Sequence, residues 1–432
     1  MKHIIFSLLL LLLSVIDVSA QGFQDSVIIL NKAKADIQQL CSDEFAGRGY
    51  VGNGHQTAAV FIAKRFQNIG LKSGGEGKLE NYFQPFTIQI NLAEELSLEL
   101  DGREIEVGED VIVSKFSGSG KLNSQVIDMK YGLKPSEKVK GKIALFRAGW
   151  PKSIANSTKK RDKYKELSST LDRAIALIKA GAEGIIIVQD KLTAGFTRER
   201  ANLPIIELKT SALTAKVKTA KLEVKSTMSR ISSQNIIGYI PGSSQADTAI
   251  LITAHYDHLG QLENAIFTGA NDNASGTSMI LSMAEYFSNN PLKYTLVFIA
   301  FGGEETGLVG SNFYVNQQPA FPLEQSKFVL NLDLMANGIK GITAVGGKDY
   351  PAYLKKLQDI NETTASVPVV RARPNAPNSD HYFFLKKGVP GFFIYTLGGP
   401  PHYHDVHDTA SNLEYSRYVN VRNLLIQFLQ EL

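Results

Sequence analysis

Imidazole and carboxylate side chains, the groups that zinc-like ions bind, follow several apolar runs in the C-terminal half of this 432-residue chain. His255 follows the run A-I-L-I-T-A, and Asp257 lies two residues further on. Asp272 comes next, in the turn T-G-A-N-D-N-A-S-G just before a predicted helix. A histidine with a carboxylate close by has what a metal ligand and its orienting partner need. One such pair is weak evidence by itself, because most buried pairs of histidine and aspartate are structural.

Two further apolar runs end in acidic residues. Glu304 and Glu305 follow T-L-V-F-I-A-F after two glycines, and adjacent carboxylates directly after a buried strand each need a partner. Because neighbouring side chains in an extended loop point in different directions, one carboxylate can bind a metal while the other faces the metal-bound water. Asp333 lies near the end of F-V-L-N-L-D-L-M, where a metal is the plainest partner for a carboxylate.

The last cluster is the loop P-P-H-Y-H-D-V-H-D-T, which contains His402, His404 and His407. Since the carboxyl ends of parallel strands meet at one edge of an open α/β sheet, we expect one of these histidines to join the groups above. Two imidazoles and three carboxylates suit two zinc-like ions that share a bridging carboxylate. Two ions about 3.5–4 Å apart clamp a hydroxide and polarise a carbonyl.

Five motifs resemble those of the M28 family of zinc aminopeptidases and occur in the family's order: H-Y-D-H-L-G, N-D-N-A-S-G, G-E-E-T-G-L-V-G-S, N-L-D and Y-H-D-V-H-D-T. The resemblance implies a zinc-exopeptidase fold and two Zn2+ ions, with Co2+ or Mn2+ as possible substitutes. It also implies that Asp272 bridges the two ions, that Glu304 is the general base and that Asp257 orients His255. The metal ligands that it implies are His255, Asp272, Glu305, Asp333 and His404.

The last of these ligands departs in part from the family pattern. The family usually has H-T-x-x-D-T there, and this chain has H-D-V-H-D-T, with Asp405 in place of the threonine. The spacing to the following D-T pair favours His404 over His402 and His407. The triplet S-D-H at residues 379–381 also recurs in the family, and we expect it to support the site without binding metal.

These side chains need a scaffold that brings strand ends together, and the pattern of apolar runs predicts one. Strands alternate with helices after residue 235, which predicts an α/β fold with a doubly wound, mixed and mainly parallel sheet. Two more helices are predicted between residues 25 and 69, separated by the break L-C-S-D-E-F-A-G-R-G. The predicted strands cover residues 249–254, 294–301, 328–332 and 391–395; helices begin near residues 276, 308 and 350, and a last helix follows residue 411.

Between residues 91 and 230 the pattern changes to short β-like runs separated by glycine, serine and lysine, with one clear helix. The segments V-K-G-K-I-A-L-F-R and A-G-A-E-G-I-I-I-V resemble a protease-associated (PA) domain, which borders the active-site cleft in relatives. A simple spacer is the alternative. We therefore predict a mostly β, PA-like insert at residues 91–230, within a peptidase domain formed by residues 21–90 and 231–432.

The first twenty residues have the pattern of a secretory signal peptide: a short positive start, a run of six leucines and the cleavage site V-S-A. We predict that residues 1–20 are removed and that the mature protein is exported, to the periplasm or the medium, without a membrane span. Cys41 is the one cysteine of the sequence and lies well past the cleavage site. Neither a lipid anchor there nor an intrachain disulfide is therefore expected.

The composition is that of a globular protein with a large core, with 44% hydrophobic and 20% charged residues. A net charge of +4 is small for this length, so nucleic acid is not an expected partner. The dense basic run K-K-R-D-K-Y-K, which begins at Lys159, is typical of a solvated helix face.

Together the residues and the resemblance imply a secreted dinuclear-zinc metalloaminopeptidase that acts on peptides with a free N-terminus. A metal-bound hydroxide would attack the scissile carbonyl, and Glu304 would take its proton and pass it to the leaving amine. The preferred N-terminal residue and the oligomeric state are left open by the sequence.

Three alternatives remain beside this interpretation. A glutaminyl cyclase of the same fold would be a single-zinc enzyme. A carboxypeptidase would need a cationic clamp, for which Arg371 and Arg373 are the available pair, although we expect that pair to lie in a solvated turn. A non-catalytic relative would lack some ligands or the base, whereas all six positions are filled here.

Overall fold

The computed structural model describes residues 24–73, 79–213 and 216–432 of the chain. The predicted signal peptide lies outside these residues, so export stays a prediction. No helix within the described residues combines the length and the apolar character needed to cross a membrane.

Helices and strands alternate through much of the described chain, with short 3-10 turns between some of them. The α-helices are α1 (24–40), α2 (Gly54–Ile69), α3 (Lys152–Ala155), α4 (Thr158–Arg161), α5 (Thr170–Lys179), α6 (Ser275–Asn289), α7 (Val309–Asn316), α8 (Pro351–Thr364), α9 (His381–Lys386) and α10 (Tyr418–Gln430). The strands are β1 (Lys72–Ser73), β2 (Phe83–Leu100), β3 (Arg103–Glu104), β4 (Val111–Val113), β5 (Gly120–Asp128), β6 (Ile143–Arg147), β7 (Gly184–Gln189), β8 (Ile205–Lys209), β9 (Thr219–Ile240), β10 (Gln245–His255), β11 (Gly260–Leu262), β12 (Ala265–Phe267), β13 (Tyr294–Phe301), β14 (Ser326–Leu332), β15 (Ile342–Val345), β16 (Val370–Arg373) and β17 (Gly391–Thr396).

Fifteen strands of the described residues join in one sheet, in the order β16-β15-β17-β14-β10-β13-β9-β5-β6-β7-β8-β4, with β1 and β2 also on β9 and β3 on β2. β10 is parallel to both β13 and β14, and β14 is parallel to β17. β9 pairs antiparallel with β13, and β15 pairs antiparallel with β17. The sheet around β10 is thus mixed and mainly parallel, which confirms the predicted fold class.

The central strand β10 is covered by helices on both faces, because its side chains are apolar on both sides. Ile250 and Ile252 lie in a core cluster with residues of α2, α6, α8 and α10, whereas Leu251 lies in a second cluster with residues of α7 and α9. All three side chains are fully buried. Burial of one such side chain stabilises the fold by about 1.5–3 kcal/mol. The strand is therefore a firm base for the residues that follow it.

His255 is the last residue of β10, and the strand register places it beside two other strand ends. It lies opposite Phe301, the last residue of β13. On the other side Thr253 lies opposite Asn331, so two residues further along His255 stands level with Asp333. The carboxyl ends of three adjacent strands therefore meet at one crevice, the place where open α/β sheets collect ligands.

The elements predicted from the sequence are found with small shifts of their ends. Each of the four predicted strands lies within one observed strand, and α6, α7 and α8 begin within one residue of the predicted positions. The closing helix α10 begins later than expected, because the separate turn Ala410–Asn412 and an irregular segment precede it. The break between α1 and α2 folds as the 3-10 turn Asp43–Arg48.

The predicted insert contains β3 to β8 and α3 to α5, and its strands β5, β6, β7 and β8 are parallel neighbours. β2 and β9, of 18 and 22 residues, pair with each other along almost their whole length. Both strands run through the expected boundaries at residues 91 and 230 without a break. A paired ribbon therefore joins the two parts, and the division into domains stays a prediction, as does the PA assignment.

Candidate metal centre

The crevice at the end of β10 brings together the five side chains predicted as metal ligands. Nε2 of His255 lies 3.3 Å from Oδ1 of Asp272 and 3.4 Å from Oδ1 of Asp333. Nε2 of His404 lies 3.1 Å from Oδ2 of Asp272 and 3.1 Å from Oε2 of Glu305. The two oxygens of Asp272 thus face different imidazoles. The side chains form two groups of three that share one carboxylate.

The two groups fit zinc in their spacing and in their donors. A zinc ion about 2.0–2.1 Å from each ligand atom separates neighbouring ligands of a tetrahedron by about 3.3 Å, and the four separations above are close to that value. Oδ1 of Asp333 is buried and has no hydrogen-bond partner among the described residues. A buried carboxylate oxygen without a donor is costly, and a cation at this position would supply its missing partner.

The charges of the cluster also favour positive ions. Burial lowers the pKa of His404, but the carboxylates of Glu305 and Asp272 outweigh burial and raise it to about 11. Burial likewise lowers the pKa of His255, yet Asp333 and the other carboxylates hold it well above its usual range. For Glu305, burial acts to raise the pKa, and the neighbouring histidines outweigh it and lower the value to about 2. The site is thus arranged to stabilise positive charge beside both imidazoles.

Glu304 and Glu305 have different surroundings, as expected for neighbours in an extended loop. Glu305 bonds to His404 and, through Oε1, to Nδ1 of His258 at 2.7 Å. Among the described residues none donates a hydrogen bond to the carboxylate of Glu304, which lines a cleft of about 240 Å³ together with His255. Burial raises the pKa of Glu304 well above its usual range and outweighs the opposing effect of His255. Other residues that line the cleft are Asp272, Asp333, Leu334, Arg373, Asn378, Phe393, Tyr395, Tyr403 and His404.

Asp257 contacts both the loop that carries Glu304 and Glu305 and the imidazole of His255. Its carboxylate accepts hydrogen bonds from the backbone N–H of Glu304 at 3.1 Å and from the hydroxyl of Tyr50 at 2.8 Å. Nδ1 of His255 lies 3.1 Å from the backbone carbonyl of Asp257 and 4.0 Å from its carboxylate. Burial raises the pKa of Asp257 to about 6. The closest contact that orients His255 therefore comes from the backbone of Asp257, and the expected role of its carboxylate stays a prediction.

His258 is a residue of the centre that the sequence reasoning missed. It is fully buried, its Nδ1 bonds to Glu305, and its Nε2 has no partner among the described residues. Its ring meets that of His404 edge to face, with centroids 5.6 Å apart. The signal was its place in H-Y-D-H-L-G, three residues after His255. We infer that His258 fixes the orientation of Glu305, since partners of a ligating carboxylate do this in metal sites.

Arg48, in the turn between α1 and α2, is the second missed residue. Its side chain is fully buried and faces backbone carbonyls rather than carboxylates. It donates to Tyr256 at 2.7 Å and to Thr268 at 2.6 Å, and it lies 3.4 Å from the carbonyl of Asp272. It also donates to Leu40 at 2.9 Å. One guanidinium therefore ties the N-terminal helices to two of the segments that carry metal-centre residues, the one after β10 and the one before α6.

We expect Arg48→Met to destabilise the fold by about 3 kcal/mol or more, because several buried carbonyls lose a charged donor. The free energy of unfolding, measured by urea denaturation, tests this expectation. Arg147→Met is the matched control, since Arg147 forms a half-exposed ion pair with Asp128 at 3.4 Å. Such exposed pairs contribute about 0–1 kcal/mol. Equal stability losses in the two variants would show that Arg48 does not hold the loops.

Asp408 supports the turn that carries Asp272. Its carboxylate accepts hydrogen bonds from the backbone N–H of Asn271 at 2.8 Å and of Asp272 at 2.9 Å. Its carbonyl accepts from the hydroxyl of Thr268 at 2.6 Å. Asp408, the aspartate of the D-T pair that follows His404 in the motif, thus supplies the carboxylate that positions Asp272, the proposed bridge.

The other histidines of the last loop point away from the cluster. Nε2 of His407 bonds to Glu109 at 2.8 Å, and Nδ1 of His402 lies 3.6 Å from Asp405. Neither forms an ion pair with a carboxylate of the metal centre, whereas His404 contacts two of them. The structure therefore places His404 at the position that the motif spacing favours.

The S-D-H triplet lies directly behind Asp333. The hydroxyl of Ser379 donates to Oδ2 of Asp333 at 3.0 Å and accepts a hydrogen bond from Asn331 at 2.8 Å. Asp380 is fully buried, and burial raises its pKa to about 7. Ser379 thus occupies one oxygen of Asp333 and leaves the other directed at His255.

The expectation that Arg371 and Arg373 lie in a solvated turn is wrong about the turn, although both side chains are exposed. Both belong to β16, which pairs with β15. Arg373 lines the cleft of the metal centre and lies 3.3 Å from the hydroxyl of Tyr395. An isolated R-x-R in the sequence carries no information about which side of a strand faces a cleft made by other loops.

Comparisons with known proteins show which families and folds this chain resembles. The sequence model described as Peptidase family M28 matches residues 235–429. Aminopeptidase YwaD of Bacillus subtilis is 31% identical over 252 residues, which are 55% of this chain and 50% of YwaD. A probable leucine aminopeptidase of Trichophyton verrucosum is 29% identical over 219 residues, 46% of this chain and 57% of the relative. The matched part therefore spans about half the length of these curated relatives.

Two solved structures share the fold over nearly the whole chain. The crystal structure of BSAP, a zinc aminopeptidase from Bacillus subtilis, has a TM-score of 0.69 at 23% identity and covers 93% of this chain and 94% of its own. The structure of a peptidase M28 precursor from Shewanella amazonensis has a TM-score of 0.68 at 19% identity, with 94% and 95% covered. The shared fold extends beyond residues 235–429 and includes most of the predicted insert.

Proposed function

We propose that this chain, whose residues 235–429 match the model of Peptidase family M28, is an aminopeptidase that binds two zinc ions. The observation that carries the proposal is the position of Asp272, whose two oxygens lie 3.3 and 3.1 Å from the imidazoles of His255 and His404. A carboxylate placed between two ligand groups in this way suits a bridge between two ions. The names of the curated relatives, aminopeptidase and leucine aminopeptidase, support the reaction.

The ligands divide between the two ions according to their contacts. His255 and Asp333 would hold one ion, His404 and Glu305 the other, and Asp272 both. The chemistry that zinc supplies at such a site, when bound, is acidification of a water molecule and polarisation of the scissile carbonyl. Asp257, Ser379 and the other supporting groups described above keep these ligands in place.

Glu304 is the proposed general base. Its carboxylate lines the cleft beside His255 and has no hydrogen-bond donor among the described residues, so it is available to a water molecule in the cleft. It would take the proton of the attacking water and deliver it to the amine of the leaving group. Proton transfer through one carboxylate couples the attack of water to the departure of the amine, so a single positioned base serves both steps.

We infer that the substrate end is selected through the free α-amine of the peptide. The two ions would compensate the charges of Asp272 and Asp333, so Glu304 is the carboxylate lining the cleft whose charge is left to attract that amine. Tyr395, Phe393 and Leu334 supply apolar and aromatic surface for the first side chain. Acetylation of the amine removes its charge and its basic lone pair and adds bulk.

We therefore expect hydrolysis of free leucyl- and alanyl-p-nitroanilides, with little hydrolysis of their N-acetyl forms. Release of nitroaniline from the matched free and blocked substrates measures the difference directly. A C-terminally labelled peptide, sampled by mass spectrometry, shows which end is shortened. Equal rates on free and blocked anilides would contradict the aminopeptidase proposal while leaving the metal centre intact.

Arg373 is the observation that favours the second candidate, a carboxypeptidase. Its guanidinium is a cation on the wall of the cleft. Its hydrogen-bond partner is the hydroxyl of Tyr395, and no carboxylate among the described residues pairs with it. Loss of the C-terminal residue from the labelled peptide would support this candidate. The glutaminyl cyclase candidate predicts one zinc and a cyclised product from glutaminyl peptides, and the second group of ligands, with His404, speaks against it.

A further inference from the structure

We propose that the predicted insert supports the metal centre. Its anchor segment, residues 190–196, positions the ligand loop, residues 401–408. The inference rests on the proposed role of His404 as a zinc ligand, because the ligand loop carries that histidine. From the sequence alone, this region could either border the cleft or act as a spacer. The inference assigns it a function at the metal centre. Three groups of contacts support it.

The first contacts join His404 to Ala194 of the anchor segment. Nδ1 of His404 lies 3.0 Å from the carbonyl oxygen of Ala194, and the N–H of Ala194 donates to the carbonyl of His404 at 3.1 Å. A carbonyl only accepts, so Nδ1 carries the proton and Nε2 keeps its lone pair for a metal. Nε2 is the atom that faces Asp272 and Glu305. Ala194 thus fixes the tautomer and the ring orientation that ligation requires.

The backbone of His404 also depends on such support. Its φ of 55° lies in the left-handed region, which residues with a side chain rarely adopt. A residue keeps this conformation only where its surroundings determine it. The reciprocal bonds with Ala194 and the stacked ring of Tyr403, 4.0 Å from the imidazole between centroids, are the recorded contacts that do so.

Lys191 supplies the second group of contacts and spans the ligand loop on both sides of His404. Its Nζ donates to the carbonyl of Pro401 at 3.1 Å and lies 3.6 Å from Oδ2 of Asp405. The same Asp405 carboxylate accepts from the backbone N–H of Tyr403 at 3.3 Å. Asp405 is the residue that stands where the family usually has threonine. The departure from the motif therefore provides the carboxylate that meets the insert.

The third contact comes from another part of the insert. Oε2 of Glu109 lies 2.8 Å from Nε2 of His407, and Oε1 of Glu109 accepts from Lys209 at 2.6 Å. Lys209 ends β8, which pairs with β4 in the insert sheet. The ligand loop is thus fastened to the insert at Pro401, at residues 404–405 and at His407.

These contacts have a specific consequence for the two ions. His404 would bind only one of them, and the other would be bound by His255, at the end of β10, and Asp333, directly after β14. Asp408 keeps its own bonds to the turn that carries Asp272. Weakening the insert contacts at Pro401, Asp405 and His407 should therefore loosen the ion that His404 binds and leave the other unchanged. A merely structural insert would affect both ions together, through the stability of the whole chain.

The test measures zinc release from the full-length, zinc-loaded protein into an excess of a chromophoric chelator. Lys191→Met combined with Glu109→Gln removes two attachments at the surface without touching a proposed ligand. Lys121→Met is the matched control, since Lys121 forms an exposed insert ion pair with Glu223 at 2.6 Å. We expect the double variant to release one of its two ions about 10-fold faster or more, as loss of supporting contacts commonly weakens metal binding 10–100-fold. The second ion and the melting temperature in excess zinc should match the control.

Restoring the cation with Lys191→Arg in place of methionine should return release of the first ion towards the wild-type rate. Release from the double variant at the rate of the control would overturn the inference. So would equal acceleration of both ions together with a lower melting temperature in excess zinc. A wild-type protein that holds a single zinc ion would instead refute the dinuclear proposal, and with it the role given to the ligand loop.

Discussion

Replacing Glu304 by glutamine is expected to leave both zinc ions bound and to lower kcat by about 10²–10⁴-fold, the usual contribution of a positioned acid–base group. Glutamine preserves the shape of the side chain but cannot take a proton from water. The carboxylate lines the cleft and has no donor among the described residues, so its loss leaves no protein group unpaired. Zinc analysis of the purified variant beside its rate on leucyl-p-nitroanilide measures both parts of the expectation.

The neighbouring glutamate provides the control. Glu305→Gln should lose the ion next to His404, because Glu305 and Asp272 are the two carboxylates that contact this imidazole, each at 3.1 Å. Oxygens of both glutamates lie within 4.8 Å of a His255 nitrogen, so geometry alone admits Glu304 as a ligand too. If Glu304→Gln loses zinc and Glu305→Gln keeps it, the roles of the two residues must be exchanged.

The fold could be predicted because its central strands are apolar on both faces. The run before His255 is buried on both sides of the sheet, and such a run has few alternatives in a chain of alternating strands and helices. The strand ends could also be predicted, since apolar residues give way there to Glu304 or Asp333. Polar residues at the ends of buried strands mark a site without any knowledge of the strand order.

The supporting residues could not be predicted, because their partners are distant in the sequence. Arg48 bonds to carbonyls more than 200 residues away, at Tyr256 and Thr268. Backbone carbonyls have no sequence signature, and a turn-rich break between two helices gave no reason to single out one arginine. Tyr50 and Asp257 illustrate the same limit, since their hydrogen bond exists only after β10 has been placed beside the turn.

The ligand loop shows where motif reasoning reaches its limit. The spacing to the D-T pair favoured His404 over two neighbours of the same chemistry, and His404 is the one that contacts the carboxylates. The replacement of threonine by Asp405 had no explanation in the motif itself. Its partner Lys191 lies more than 200 residues earlier, in a region to which the sequence assigned no chemistry. A departure from a family pattern can thus reflect a contact with a different part of the same chain.

Asp272→Ala is expected to lose at least one zinc ion, to lose nearly all activity and to melt at a lower temperature in excess zinc. Each oxygen of this carboxylate faces a different imidazole, so its removal takes one ligand from both ions and leaves two cations with less negative charge between them. An ion present at 1,000 times its Kd stabilises the folded state by about 4 kcal/mol, and that stabilisation disappears with the ion. Zinc content after gel filtration and thermal unfolding with and without added zinc test the expectation.

The bridging role separates Asp272 from the other carboxylates of the cleft. Glu304→Gln removes a negative charge from the same cleft and should keep two ions, so loss of zinc in Asp272→Ala cannot be attributed to charge alone. Asp333→Ala should affect only the ion beside His255, because Asp333 contacts that imidazole and not His404. If Asp272→Ala retains two ions that resist the chelator as long as the wild-type ions do, Asp272 is not shared between them. One ion would then have to be held by His255 and Asp333 and the other by His404 and Glu305, without a shared carboxylate.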